Sequence, residues 1–219
     1  MTTRAIDYSP AVFSSNWGST FQLGIKRLID LLGAGGLLIL LSPLLLFLAT
    51  AVKFSSPGGV FYRWRIAGLR GRPVLSYKFR SMVSNADDLK SQLEAANEMI
   101  GPAFKMTNDP RVTEAGRWMR RYSLDELPQL YSVLKGDMSL VGPRPPLQSE
   151  FERFTEFQKQ KLAVKPGITC LWQVSGRHRV RDYDDWVRLD LEYIRRWSLS
   201  LDFEILLRTV REVVRGSGK

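Results

Sequence analysis

The sequence predicts an α+β fold: a membrane-associated globular domain on a kinked, re-entrant membrane helix, with amphipathic interfacial helices. Three observations lead to this prediction. The 22 residues Leu31–Val52 are uncharged and rich in leucine, and the pair Ser42-Pro43 interrupts them. Val60–Ile66 and Val74–Phe79 are rich in aromatic and branched residues around a glycine-containing turn, which is typical of a β-hairpin. Much of the remaining chain has apolar residues at helical spacing.

The domain organisation follows from changes in composition along the chain. Residues 1–18 are polar and lack periodicity, so we expect a flexible tail. Residues 19–55 form the predicted membrane helix, and residues 56–219 are long enough to bury a core of their own. The net charge of +10 and the pI near 9.9 indicate an anionic partner. Charge alone leaves open whether this is nucleic acid, anionic lipid or a phosphorylated substrate.

Cysteine and histidine usage excludes two kinds of site. The chain has one cysteine, Cys170, and one histidine, His178. An internal disulfide is therefore excluded, a reducing compartment fits, and a zinc site of soft ligands is not expected. Apolar neighbours favour Cys170 as a core residue, because burial raises the pKa of a thiol. We expect His178, in an arginine-rich loop, to be solvated, although a phosphate contact is the alternative.

The uncharged run has the length of a spanning helix, but two features favour a re-entrant one. Pro43 removes a backbone donor near the midpoint and Ser42 can bond to a freed carbonyl, so we expect a sharp kink. Basic residues flank the run on both sides: Lys26 and Arg27 before it, and Lys53, Arg63, Arg65, Arg70 and Arg72 after it. A spanning helix would show a charge asymmetry, so a helix that returns to the same face fits better.

Lys78 and Arg80 alternate onto one face of the second hairpin strand. They suit contact with substrate phosphates and equally suit a charged, solvated sheet edge. Ala86–Asn97 then reads as a mixed-charge surface helix, and a basic helix follows at 112–121. The sequence assigns no role to the segment 84–107.

An adjacent carboxylate pair, Asp125-Glu126, precedes the next predicted helix. Pro128 is tolerated in a first helical turn, which places the carboxylates at or just before the helix N-terminus. Backbone N–H groups there favour ionised side chains and phosphates. Asp125 is thus a candidate nucleophile and Glu126 a candidate ligand for a divalent cation. Ser123 and Glu126 also fit a capping box, which needs no chemistry.

A rigid segment, Pro143-Arg144-Pro145, follows this helix. The two prolines hold Arg144 in a non-helical stretch, which suits a guanidinium that recognises a phosphate. Arg120 and Arg121, just upstream of the carboxylates, are further candidates for phosphate contacts.

The last third of the chain is predicted to be mostly helical. Gln148–Leu162 reads as a charged amphipathic helix, and Ile168–Arg177 as a buried strand that ends in a loop. Tyr183–Trp197 and Phe203–Val214 carry apolar residues at helical spacing. These two helices fit the bilayer surface and the core equally well.

Several of these stretches resemble the bacterial polyprenyl-phosphate sugar phosphotransferases, the monotopic phosphoglycosyl transferases that initiate exopolysaccharide and O-antigen chains. The resemblance rests chiefly on Asp-Glu-Leu-Pro-Gln-Leu at 125–130 and Lys-Gly-Asp-Met-Ser-Leu-Val-Gly-Pro-Arg-Pro at 135–145. The stretches 26–30, 78–82 and 168–177, and the Ser-Pro break of the membrane helix, are also similar to the family.

The resemblance implies an enzyme at the cytoplasmic face of the bacterial inner membrane, with a UDP-sugar, undecaprenyl phosphate and membrane lipid as partners and no nucleic acid. It implies that Asp125 attacks the sugar-bearing phosphate, expels UMP and forms a phosphosugar–aspartyl intermediate, which undecaprenyl phosphate then attacks. Glu126 would coordinate Mg²⁺, and Arg144 would grip phosphate. The further residues assigned to substrate are Pro143, Pro145, Arg120, Arg121, Lys78 and Arg80. The identity of the sugar stays open, and a homo-oligomer is compatible with the sequence.

Two other classes of function are open on the sequence alone. The charge of +10 and the aromatic content of 11% suit a membrane-anchored nucleic-acid binder, although the sequence contains no nucleic-acid motif. A non-catalytic scaffold for polysaccharide enzymes would leave Asp125 and Glu126 as a helix cap. Release of UMP from a UDP-sugar separates an enzyme from a scaffold.

Overall fold

The computed structural model describes residues 17–176 and 180–218. Residues 1–16 of the expected tail and the loop residue His178 lie outside the described residues. The α-helices are α1 Thr20–Leu40, α2 Ser42–Ser55, α3 Ala86–Lys90, α4 Glu114–Arg121, α5 Leu130–Lys135, α6 Gln148–Phe151, α7 Glu156–Lys159, α8 Leu171–Val174, α9 Tyr183–Arg196 and α10 Leu199–Arg215. The strands are β1 Phe61–Ala67, β2 Pro73–Phe79, β3 Ser139–Val141 and β4 Gly167–Thr169. The 3₁₀ turns are Leu69–Gly71, Ser91–Ala96, Leu124–Gln129 and Gln160–Ala163.

This mixture of helix and sheet confirms the α+β prediction. The predicted hairpin is present, with β1 and β2 antiparallel and Trp64 opposite Ser76. A second small sheet pairs β3 with β4 in parallel. The predicted strand Ile168–Arg177 is wrong beyond Thr169, because Gln173 Oε1 accepts a hydrogen bond from Cys170 N at 3.0 Å and α8 begins there.

α1 and α2, hereafter the bent pair, are inclined by 64° around a break at Leu41. Pro43 lies in the first turn of α2, where its missing N–H costs no helical bond. Ser42 Oγ donates to Ile39 O at 2.8 Å, as its sequence position predicts. The predicted kink is therefore confirmed. Among the described residues no single helix is long and apolar enough to cross a membrane, whereas the bent pair taken together meets that requirement of length and composition.

The first half of α1 docks on the globular part of the chain through charged side chains. Lys26 Nζ lies 2.5 Å from Asp202 Oδ2 on α10. Arg27 donates to Val133 O at 2.6 Å and to Leu134 O at 2.8 Å, two carbonyls in the last turn of α5. These partners are buried or half-buried, so α1 is fixed at this end.

The far end of the bent pair packs on the same globular part. Leu48 and Val52 of α2 are fully buried against Phe79 of β2 and Met119 of α4. Both ends of the bent pair thus contact the globular part, whereas large apolar side chains near the bend are exposed. The most exposed of these are Leu32, Ile39, Leu40, Leu46 and Phe47.

The main core joins α9 to the strands and to α5. Trp186, Leu191 and Ile194 of α9 are buried in it, so this helix belongs to the core. α10 buries Ile205 but exposes one face, made of Phe203, Leu207, Val210 and Val214.

The predicted single helix Gln148–Leu162 is wrong. It is divided into α6, α7 and a 3₁₀ turn, because Thr155 starts a new helix. Thr155 Oγ1 accepts from Gln158 N at 3.3 Å, and Gln158 Oε1 accepts from Thr155 N at 3.1 Å. This capping box competes with continuation of the helix.

Candidate active site

A cavity of about 660 Å³ opens between the segment 104–112, α4 and the 3₁₀ turn Leu124–Gln129, hereafter the dyad turn. Six of the lining side chains are cationic and three are acidic: Lys78, Lys105, Arg111, Arg117, Arg120 and Arg144 against Asp109, Asp125 and Glu126. This excess of positive charge in a concave site suits an anionic ligand.

The dyad turn places Asp125 and Glu126 at the wall of the cavity. It ends where α5 begins, so the prediction that the carboxylates precede a helix is confirmed. Ser123 just before the turn has φ 53°, a left-handed conformation that turns the chain sharply after α4. In the part of the chain that the structure describes, Ser123 makes no side-chain capping hydrogen bond, so the predicted capping box is not formed.

Lys78 on β2 reaches the dyad from the opposite wall. Its Nζ lies 2.8 Å from Glu126 Oε1 and 3.7 Å from the centroid of the Trp64 ring. Burial lowers the pKa of Lys78, and the ionised Glu126 partly opposes this effect. Because of the 2.8 Å contact, the Lys78 ammonium compensates the charge of the Glu126 carboxylate.

Arg144 lines the cavity beside a pair of stacked tryptophans. Its guanidinium carbon lies 5.8 Å and 5.9 Å from the ring centroids of Trp172 and Trp186, within the range of cation–π attraction. The two rings stack at 4.3 Å with an interplanar angle of 9°. Pro143 and Pro145 on either side are buried and are not among the lining residues, so the structure does not bring these two predicted substrate residues to the cavity. The segment contributes to the cavity wall through Arg144.

Two glycines face each other behind this segment. Gly142 N donates to Thr169 O at 3.0 Å, and Gly167 N donates to Pro143 O at 2.9 Å. A Cβ atom on Gly167 would lie 2.1 Å from Gly142 N. Only glycine allows this close backbone approach, which fixes the segment against β4.

Arg120 and Arg121 are placed on different sides of α4. Arg120 lines the cavity, and its Nε donates to Ser81 Oγ at 2.9 Å. The structure places Arg121 outside the cavity, with its guanidinium carbon 5.7 Å from the Tyr122 ring centroid and its side chain against Gly216. Neighbouring residues of a helix point about 100° apart, so both arginines cannot face one site.

Arg80 is also placed away from the cavity, which corrects its expected position beside Lys78. It is 8% exposed and donates to the carbonyls of Ser56 at 2.7 Å and Val52 at 3.4 Å, and to that of Pro57. The last carbonyls of a helix lack intrahelical donors, and Arg80 supplies them for α2. The residue therefore connects the bent pair to β2.

Sequence reasoning missed one wall of the cavity. Arg111 and Arg117 line it, as does the segment after Phe104, which had no predicted role. Arg111 is held by Asp109 at 2.6 Å and lies 5.0 Å from the Phe104 ring centroid. The Asn-Asp-Pro-Arg turn at 108–111 was the available signal, but it indicates a turn without indicating what the turn faces.

The carboxylates fit a magnesium ion that a phosphorylated ligand shares. Among the described residues, no group of three or more His, Cys, Asp or Glu side chains is placed to hold a metal ion. Asp125 and Glu126 provide two carboxylates at the cavity. Mg²⁺ usually takes one or two carboxylates together with waters and substrate phosphates, which matches this donor set.

Comparison with known proteins identifies the class of protein. The family model described as bacterial sugar transferase matches residues 21–216, and the chain belongs to this family. This finding confirms the resemblance that the sequence motifs indicate.

Three curated relatives show how much of each chain is shared. The galactosyl transferase CpsE of Streptococcus agalactiae is 42% identical over 211 residues, covering 96% of this chain and 47% of the relative. The undecaprenyl-phosphate galactose phosphotransferase of Salmonella typhimurium is 44% identical over 199 residues, covering 89% of this chain and 41% of the relative. The exopolysaccharide production protein ExoY of Rhizobium meliloti is 38% identical over 216 residues, covering 96% of this chain and 95% of the relative. The chain therefore spans less than half the length of the first two relatives.

Proposed function

We propose that the protein transfers a sugar phosphate from a UDP-sugar to undecaprenyl phosphate at the cytoplasmic face of the bacterial inner membrane, as the first membrane step of polysaccharide synthesis. The observation that carries this proposal is the placement of Asp125 and Glu126 with Lys78 and Arg144 around one cationic cavity. The name of the Salmonella relative supports it, as does that of a 42% identical UDP-glucose:undecaprenyl-phosphate glucose-1-phosphate transferase from Xanthomonas campestris.

In the first half-reaction, a carboxylate oxygen of Asp125 attacks the phosphorus that bears the sugar. The new bond is an acyl phosphate, and the bond between this phosphorus and the UMP oxygen breaks, so that UMP leaves with the electron pair. A carboxylate that approaches a diphosphate meets strong repulsion, which the surrounding cations reduce. Arg144 and Lys78 line the same cavity as Asp125 and provide two such cations.

Glu126, together with Asp125, would hold Mg²⁺, which supplies charge neutralisation for phosphoryl transfer. Lys78 orients the Glu126 carboxylate through its contact at 2.8 Å. A carboxylate has lone pairs for several partners, so this contact is compatible with metal binding.

In the second half-reaction, an oxygen of undecaprenyl phosphate attacks the same phosphorus, and the Asp125 carboxylate leaves. The product is the undecaprenyl diphosphate sugar, and the nucleophile is regenerated. This step requires a lipid acceptor to reach the cavity, so the protein must lie on the membrane.

The exposed apolar residues indicate how the protein lies on the membrane. Ile39 is 78% exposed and Leu46 is 70% exposed near the bend, whereas both ends of the bent pair dock on the globular part. If the bend enters the bilayer, burial of each of these side chains stabilises the membrane-bound state by about 1.5–3 kcal/mol. Both ends of the bent pair then stay at the same face of the membrane. The exposed apolar face of α10 would rest on the same surface.

A UMP-release assay tests the proposed function. The purified protein is incubated with Mg²⁺ and a panel of UDP-sugars, with and without undecaprenyl phosphate. We expect at most one equivalent of UMP without the lipid and continuous release with it, for one or a few of the sugars. Absence of UMP with every sugar would refute the proposal. Release of UDP in place of UMP would indicate transfer of the sugar without its phosphate and would also refute it.

A further inference from the structure

A buried ion pair lies behind the cavity, and the proposed mechanism does not use it. Lys161 Nζ lies 2.6 Å from Asp190 Oδ2, and both side chains are 0% exposed. Lys161 belongs to the 3₁₀ turn Gln160–Ala163, and Asp190 lies within α9. Although burial opposes the charged form, the Asp190 carboxylate holds the pKa of Lys161 above its ordinary value.

Fold stability does not account for this pair. Removing two charges from water costs several kcal/mol for each ion, and the attraction between them seldom exceeds that cost by much. Apolar residues of similar volume often stabilise a core as well or better. A completely buried pair in a core with abundant apolar side chains therefore calls for a role in placing something else.

The second oxygen of Asp190 contacts the rigid arginine segment. Arg144 N donates to Asp190 Oδ1 at 3.4 Å. Residues 143, 145 and 146 are prolines without an N–H group, so Arg144 carries the only backbone donor of residues 143–146. Asp190 accepts that donor, while Pro143 O and Pro146 O accept from Gly167 N and Ala67 N at 2.9 Å and 3.1 Å.

We propose that Asp190, held in place by Lys161, is a positioning residue that fixes the main chain at Arg144 and thereby directs its guanidinium into the cavity. The stacked Trp172 and Trp186, which lie on α8 and α9, support the side chain from behind. The ion pair joins the Gln160–Ala163 turn to α9. The inference rests on the proposed role of Arg144 in holding the diphosphate of the donor.

Two matched double variants test the proposal. Lys161→Met/Asp190→Asn and Lys161→Met/Asp190→Leu both remove the ion pair, but only asparagine keeps an oxygen for the Arg144 N–H. We expect the leucine variant to lose about tenfold or more in kcat/KM for the UDP-sugar, chiefly through KM, because the part-buried Arg144 N–H loses its acceptor. The asparagine variant should recover to within about threefold of wild type, with a similar Tm for both variants. Equal losses in the two variants would overturn the proposal.

A mutant cycle separates positioning from a general structural effect. In an Arg144→Ala background, which has no cationic side chain to direct, exchanging asparagine for leucine at position 190 should change kcat/KM by less than about twofold, because the residue acts through the Arg144 side chain. An undiminished loss in that background would overturn the proposal. If the leucine variant does not fold, Asp190→Glu replaces it. Asp190→Glu keeps the ion pair but displaces the acceptor, so it should raise KM, together with a lower Tm because the extra methylene is completely buried. An unchanged KM would contradict the proposal.

Calorimetric measurement of the affinity for UDP compares wild type with the asparagine and leucine variants without requiring turnover. We expect wild type and the asparagine variant to bind UDP about tenfold more tightly than the leucine variant. Absence of UMP release from wild type would refute the proposed function, while UDP affinity would still decide the role of Asp190. Equal UDP affinities in all three proteins would refute that role.

Discussion

At the residue scale, the two adjacent carboxylates have different surroundings. Glu126 is paired with Lys78 at 2.8 Å, and burial lowers the pKa of that lysine. Asp125 lies one residue away on the dyad turn and is 7% exposed. Because Lys78 offsets the charge of Glu126, the neighbouring Asp125 meets less electrostatic repulsion. This arrangement allows two carboxylates to share one short turn.

The proposed nucleophile is tested by Asp125→Asn. An amide cannot form the acyl phosphate, so UMP release should fall to background while the Tm stays near that of wild type. Mass spectrometry of wild type with the UDP-sugar alone should show an added sugar phosphate that the variant lacks. Asp185→Asn is a matched control, because Asp185 is an exposed carboxylate paired with Arg188, and it should retain activity. Normal turnover in Asp125→Asn would eliminate the assignment.

The proposed metal ligand is tested by Glu126→Gln. An amide oxygen is a much weaker ligand for a hard cation, so we expect loss of most Mg²⁺-dependent activity and a higher Mg²⁺ concentration for half-activation. Glutamine would replace glutamate well in a capping box, but the structure shows that box unformed. A magnesium titration of UMP release measures the change, and an unchanged titration curve with near-normal activity would argue against metal binding by Glu126.

The phosphate contact of Arg144 is tested by Arg144→Lys. Lysine keeps the charge but lacks the planar fork and the weakly hydrated face that lies near Trp172 and Trp186. We expect kcat/KM for the UDP-sugar to fall by about tenfold to a hundredfold. Arg196→Lys on the exposed end of α9 is the control and should have no effect. Full activity in Arg144→Lys would make Arg144 a dispensable charge.

At the element scale, the parts of the site that follow local rules were predictable. Pro128 placed the dyad before α5, and Ser42 with Pro43 placed the bend, because proline and side-chain back-bonding act within a few residues. Long-range contacts were not predictable in this way. Arg80 directly follows the strand that contains Lys78, but its guanidinium donates to the carbonyl end of α2, and no local pattern encodes that partner.

The walls of the cavity show the same limit. Trp172 and Trp186 are far apart in sequence and stack only because α8 and α9 pack together. Arg121 was assigned with Arg120 because the two are adjacent in the chain, although helical geometry separates them. The capping box at Thr155 was a readable signal that the longer apolar pattern of Gln148–Leu162 obscured.

The close approach of β3 and β4 predicts the effect of a single methyl group. In Gly167→Ala the Cβ atom would lie 2.1 Å from Gly142 N, so the strands must separate and the arginine segment must move. We expect a loss of about 1–3 kcal/mol in the free energy of unfolding, measured by denaturant titration, together with a lower kcat/KM.

The control for this prediction is Gly24→Ala in α1, because a Cβ atom there has nothing within 4 Å. It should leave activity intact and stabilise the helix by up to about 1 kcal/mol. If Gly167→Ala behaved like Gly24→Ala, the close approach would not be required for the site.

At the scale of the whole molecule, the bent pair is tied to the globular part at both ends. Lys26 and Arg27 join α1 to α10 and α5, and Arg80 joins the end of α2 to β2. A helix that crossed the membrane would have to carry Lys26 and Arg27 across it and break these contacts, which costs several kcal/mol for buried charges. The docking contacts and the break at Pro43 therefore both favour a re-entrant helix over a spanning one.

Cysteine labelling in cells tests this topology. Single cysteines at Ser19 and Ser55, both exposed at the two ends of the bent pair, are introduced in a Cys170→Ala background. A re-entrant helix leaves both on the cytoplasmic side, so an impermeant thiol reagent should label them only after lysis. Replacing Ser42 and Pro43 together by leucine removes the break, so the N-terminus should cross the membrane in part of the molecules and make their Ser19 cysteine accessible from outside the cell. The fraction stays below one because the docking contacts of Lys26 and Arg27 oppose the crossing. Labelling of the Ser19 cysteine in intact cells with Ser42 and Pro43 unchanged would show that the helix spans the membrane.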